Sequence, residues 1–170
     1  MKKLLPLAVL MAAPASAQDV YFASDVWPVQ ASGRTCTVVQ ALPDGRNALS
    51  ISYDGSEVVL TSTNELATEM PASGTLNLAI VFLDNEASDQ AFDDGWGSRE
   101  FTYTRGDGLY RFSTRFAGEN NVRQFLADIG NSRTLGLLQR RETVVAYDLS
   151  DIGPSIARLR DCAARQVAAN

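Results

Sequence analysis

Five carboxylates fall within eleven positions of one segment, DNEASDQAFDD: Asp84, Glu86, Asp89, Asp93 and Asp94. Clustered oxygen ligands of this kind suit calcium, and two carboxyl groups across a glycosidic bond can act as acid and base. The spacing departs from the twelve-residue calcium loop, which needs glycine at its sixth position and glutamate at its twelfth. The segment therefore reads as a solvated connector, no metal is assigned, and Asp93 and Asp94 stay as binding candidates. Just after it, Trp96 stands between Gly95 and Gly97. A ring flanked by glycines can project to stack on a sugar or partner, or it can anchor its loop on the core. Arg99, Arg105, Arg111 and Arg115 follow, with Arg111 and Arg115 on one face of a strand. Guanidinium groups in such a row bind a carboxylate or an acidic glycan in bidentate fashion. The plainer reading is a solvated sheet face paired with local acids.

The missing residue types exclude more than the present ones suggest. The chain has no histidine, so imidazole-based triads, proton shuttles and histidine-ligated metals are out of reach. Two cysteines, Cys36 and Cys162, are too few for a cysteine-rich zinc site. No GxSxG elbow, phosphate-cradling glycine loop or dinucleotide fingerprint occurs. No catalytic residue and no cofactor is assigned.

The N-terminus bounds the compartment. Lys2 and Lys3, the apolar run from Leu4 to Ala13 and the small residues Pro14-Ala15-Ser16-Ala17 form a secretory signal, with cleavage expected after Ala17. The apolar run is too short to span a bilayer, and no later run is long enough, so no transmembrane segment is expected once the signal is removed. Residues 18–170 then make a single domain, periplasmic or secreted from a bacterium. Both lysines leave with the signal; thirteen arginines against twenty acids remain, a formal charge of −7. An acidic chain gains nothing from counterion release, so no nucleic-acid partner is expected. In an oxidising compartment two cysteines are most simply one disulfide, Cys36–Cys162, the alternative being two separate thiols.

Periodicity supplies the elements that position these groups. RTCTVVQAL, NALSISY and SEVVLTS are separated by Asp-Gly pairs at 44–45 and 54–55, a meander of three antiparallel strands. TLNLAIVFL becomes apolar on both faces towards its end, as a central strand would be. SREFTYTR and LYRFSTRF form a hairpin about Gly106-Asp107-Gly108, with Tyr110, Phe112 and Phe116 facing inward. Val122, Phe125, Leu126 and Ile129 then recur at helical spacing before Gly130, which is placed to end that helix. RTLGLLQ and TVVAYDL make a last hairpin about RRE, and Pro154 opens a closing helix with Ile156, Leu159, Cys162 and Ala163 on its inner side. The expected fold is mainly β: an antiparallel β-sandwich or partly open barrel of about eight strands with two late helices.

The Trp27-x-Val29 element before a strand bearing Cys36, the β-rich middle, and the helix–hairpin–helix ending at Cys162 resemble the invasion-associated locus B-like exported proteins of alphaproteobacteria. The resemblance lies mainly in Trp27 to Gln40 and Phe125 to Cys162. It implies a periplasmic or surface β-sandwich without an established catalytic activity, and carries over no functional residue. The function expected is a non-catalytic envelope protein that binds a protein or glycan partner. The alternative is a carboxylate-based hydrolase of envelope polysaccharide.

Overall fold

A computed structural model describes residues 19–40, 48–66, 70–83 and 96–168. The expected signal peptide, the Asp-Gly pair at 44–45 and the acidic segment 84–94, with Asp93 and Asp94, lie outside the described residues.

The chain forms β1 (Asp19–Phe22), β2 (Val29–Ser32), β3 (Thr35–Val39), β4 (Ala48–Tyr53), β5 (Glu57–Asn64), β6 (Ser73–Leu83), β7 (Ser98–Gly106) and β8 (Leu109–Ala117). Helix α1 (Glu119–Asn131), β9 (Thr134–Gln139), β10 (Glu142–Asp148) and α2 (Ile152–Ala168) complete it. All strands join one antiparallel sheet in the order β1-β2-β3-β4-β5-β8-β7-β6-β9-β10. The protein is thus mainly antiparallel β with two late helices. The described residues hold ten strands, not about eight, because β1 and β2 have four residues each, too few for a legible alternation.

The sheet is open but curled. Tyr147 on edge strand β10 hydrogen-bonds Ser62 and Asn64 on β5, near the middle of the sheet. Trp27, between β1 and β2, donates from Nε1 to the Ser150 carbonyl just past β10, at 3.0 Å. A flat sheet would hold these groups several strand spacings apart, so the last strand must fold back over the first half. This is the partly open arrangement.

The inner face carries the core. Val38, Ile51, Leu60, Phe101, Phe112, Ile80 and Leu137 are all buried, one from each of seven neighbouring strands. Each contributes about 1.5–3 kcal/mol of hydrophobic stabilisation relative to an exposed side chain. The helices close the concave side: α1 buries Val122, Phe125, Leu126 and Ile129, the stripe expected from its sequence. Its Phe125 stacks on Phe116 with ring centroids 3.9 Å apart. Gly130 lies one residue inside the helix end instead of beyond it. A Cβ there would touch Ile156, and a Cβ on Gly153 would come within 3.0 Å of the Gly130 carbonyl, so these glycines let the helices approach closely. Cys36 on β3 and Cys162 on α2 form the expected disulfide, both fully buried, with Cα atoms 6.1 Å apart.

The β7–β8 turn places Asp107 (φ 53°) and Gly108 (φ 80°) in the left-handed region, as a two-residue type I′ hairpin requires. The β9–β10 turn makes the same demand of Arg140 (φ 51°) and Arg141 (φ 71°), side chains that favour it far less.

Candidate functional site: a fork between two strands

Strands β7 and β8 leave their common turn paired from Gly106↔Leu109 to Thr102↔Ser113, and there the pairing stops. Both strands continue. β7 remains paired with β6 down to Ser98, and β8 remains paired with β5 down to Ala117. The sheet therefore divides into two arms, residues 98–101 and 114–117. The opening is a cleft of about 640 Å³ whose lining includes Val59, Trp96, Arg99, Glu100, Thr114 and Arg115.

Side chains take over part of the missing ladder. Thr114 Oγ1 donates to the Glu100 carbonyl at 2.9 Å, and Arg99 Nη2 reaches the Arg115 carbonyl at 3.5 Å. These bonds fix the orientation of the arms. In an antiparallel pair the amide and carbonyl of one residue point to the same side, and alternate residues alternate sides. The carbonyls of Glu100 and Arg115 point across the fork, so their own N–H groups do too, and so do those of Ser98 and Ala117 two residues on. No ladder pairing between β7 and β8 engages these four residues.

One aromatic ring, that of Trp96, lines the cleft, backed by the fully buried rings of Phe116 and Phe125. Trp96 meets Phe116 and Phe125 edge-on, with centroids 5.2 and 5.7 Å away, and its Nε1 donates to Asp128 at 2.9 Å. Its backbone N–H bonds the Ile80 carbonyl, which holds the residue against β6. Trp96 is thus an anchored, half-buried ring at the cleft wall, which is the anchoring role among the two open to it in the sequence. The Arg99 guanidinium lies 4.4 Å from the Phe116 centroid and 5.9 Å from that of Trp96, a cation–π seat that holds the charge at the cleft.

The other candidates divide. Arg115 borders the fork and pairs with Glu57 at 3.1 Å, an exposed ion pair of small energetic value. Arg111 shares the outer face of β8 but stands within the paired stretch, opposite Thr104, away from the cleft lining. Asp93 and Asp94 lie outside the described residues. Sequence reading missed Thr114, an inward position on β8 between Phe112 and Phe116. A hydroxyl breaking an otherwise aromatic face was the signal, since a buried hydroxyl needs a partner and here finds the Glu100 carbonyl.

Two other features lie away from the fork. A groove of about 1020 Å³ between the β4–β5 turn and the two helices is lined by Val122, Leu126, Ala164 and Val167 with Arg123 and Arg160 at its rim. The buried cluster of Ser62, Asn64 and Tyr147 has its groups bonded to one another. Burial pushes the Tyr147 hydroxyl up from its ordinary value, which keeps it a neutral donor inside the core. Among the described residues no group of histidine, cysteine or carboxylate side chains is placed to hold a metal ion, and no helix is long and apolar enough to cross a membrane. The chain matches no protein-family model, no curated protein and no solved structure.

Proposed function

We propose that this chain is an exported, non-catalytic module of the bacterial cell envelope that holds a protein or glycan partner in the β7–β8 fork. One observation carries the reading: two strands that remain paired on their outer sides part from each other, and Trp96, Arg99, Thr114 and Arg115 converge on the gap. One aromatic ring, Trp96, stands beside two guanidinium groups and several hydroxyls, a lining that suits a polar or charged partner. The three-zone N-terminus supports export, the buried disulfide suits an oxidising compartment, and the resemblance to the invasion-associated locus B-like proteins supports an envelope location. The hydrolytic alternative depends on Asp93 and Asp94, and no described observation favours it.

The test is retention of periplasmic proteins and peptidoglycan fragments on the immobilised mature protein, compared with Arg99→Glu and with Arg160→Glu as a control at the helix groove. Partners specific to the fork are lost with Arg99→Glu and kept with Arg160→Glu. Equal retention by all three proteins would rule the fork out as the site.

A further inference from the structure

The geometry points to an extended peptide carrying a carboxylate as the ligand of the fork, taken up as an added strand between β7 and β8. The inference rests on the proposed binding role of this fork and names the chemistry of its partner. Sheet edges recruit peptides because their main-chain N–H and C=O groups are free to continue the ladder. Such edges normally lie at the rim of a sheet; here two of them face each other inside it.

Each arm offers four residues, 98–101 and 114–117, about 13 Å of strand at roughly 3.3 Å per residue. Main-chain groups of Ser98 and Glu100 on one side, and of Arg115 and Ala117 on the other, point into the gap. The two bonds now spanning it, from Thr114 to the Glu100 carbonyl and from Arg99 to the Arg115 carbonyl, come from side chains that can rotate away. Release of Arg99 frees a guanidinium at the site of entry, and Arg115 stands opposite with only an exposed partner, Glu57. These charges select a carboxylate on the incoming segment. A strand held between two others needs them about two strand spacings apart, roughly 9–10 Å. Uptake therefore includes further separation of the arms, each backed by its own ladder to β6 or β5. Because β7 and β8 are antiparallel, the segment runs parallel to one and antiparallel to the other.

A glycan could share Trp96 and the arginines but could not replace the ladder, and this separates the two ligands. The probes are a library of heptapeptides with one or two acidic residues, the same library N-methylated at alternate backbone amides, and acidic peptidoglycan fragments. Amide hydrogen exchange is followed in the full mature protein. The expected result is retention of selected peptides, at least about tenfold loss on N-methylation, and exchange at Ser98, Glu100, Arg115 and Ala117 slowed at least about tenfold by bound peptide. Peptidoglycan fragments retained through Arg99 without slower exchange would overturn strand addition while leaving the binding role in place. Retention of N-methylated and unmodified peptides alike would also overturn it. If neither probe binds in an Arg99-dependent way, both readings fall.

Discussion

Cutting the disulfide should remove a large share of the stability of this domain. The bridge closes a separation of 126 residues and ties α2, the last element, to β3. In the chain-entropy account a loop of this size contributes about 5 kcal/mol, an upper figure because strain and residual denatured structure subtract from it. For a domain near 150 residues, 1 kcal/mol corresponds to about 2–4 °C in Tm, so the joint variant Cys36→Ala/Cys162→Ala should melt about 10–20 °C lower. Replacing both residues avoids a stray thiol, and alanine leaves a small cavity whose cost adds to the loss. Both sulfurs are fully buried, so reductant reaches them only when the protein opens. Wild-type protein should therefore keep its melting temperature in brief contact with a phosphine reductant and lose it after reduction under denaturing conditions. The assay is thermal unfolding by circular dichroism in these three states. A drop below about 3 °C in the joint variant would refute the view that the staple, and not the sheet alone, holds the two ends together.

Three further outcomes follow from named contacts. Trp27 is fully buried and donates from its indole to the Ser150 carbonyl, while its backbone carbonyl, which the substitution keeps, accepts from Ser155 Oγ at 2.6 Å; Trp27→Ala should cost about 3–5 kcal/mol through the lost packing and indole bond, read as a lower urea midpoint. The Arg140-Arg141 turn holds two non-glycine residues at positive φ, so Arg140→Asn/Arg141→Gly should raise stability by about 1 kcal/mol or more, and an unchanged melting temperature would contradict that strain. The Asp54 carboxylate accepts from the Glu57 amide and from the amide and hydroxyl of Ser56, which hold its pKa below the usual aspartate value. The Tyr21 hydroxyl does the same for Asp161, and the Tyr21 pKa is raised in turn. Groups lowered in this way add stability above the ordinary carboxylate range, near pH 4, that is lost as pH falls through their folded values. The raised tyrosine adds stability below about pH 10 that is lost as pH rises through its folded value. Melting should be flattest between these limits, and Asp54→Ala should lower stability by about 1 kcal/mol at pH 7 and reduce the acid-side slope.

Local features were legible in the sequence wherever a single element decides them. The Asp107-Gly108 turn and the α1 stripe of Val122, Phe125, Leu126 and Ile129 follow from φ preference and period. The burial of Cys162 beside Ile156 and Leu159 follows from helical spacing in the same way. TLNLAIVFL read as central because both its faces are apolar, and β6 does lie between β7 and β9. What could not be read depends on contacts distant in sequence. The placing of β8 beside β5, where chain order would put β6, depends on how the curled sheet buries its inner face, and no window of sequence encodes it. The fork is hidden for the same reason: β7 and β8 alternate normally to their ends, and only their outer partners show that the common ladder has stopped. Of the residues singled out for binding, Trp96 and Arg115 meet there, whereas Arg111 shares a face with Arg115 but not the gap.

The most direct measurement is amide chemical-shift mapping of the oxidised protein, residues 18–170, titrated with whichever periplasmic protein or peptidoglycan fragment it retains. Binding at the fork predicts that the largest shifts fall in residues 96–102 and 113–117, with those of α2 and the β4–β5 turn nearly unchanged. Shifts centred on Val122, Leu126, Ala164 and Val167 would place the partner in the helix groove and contradict the account.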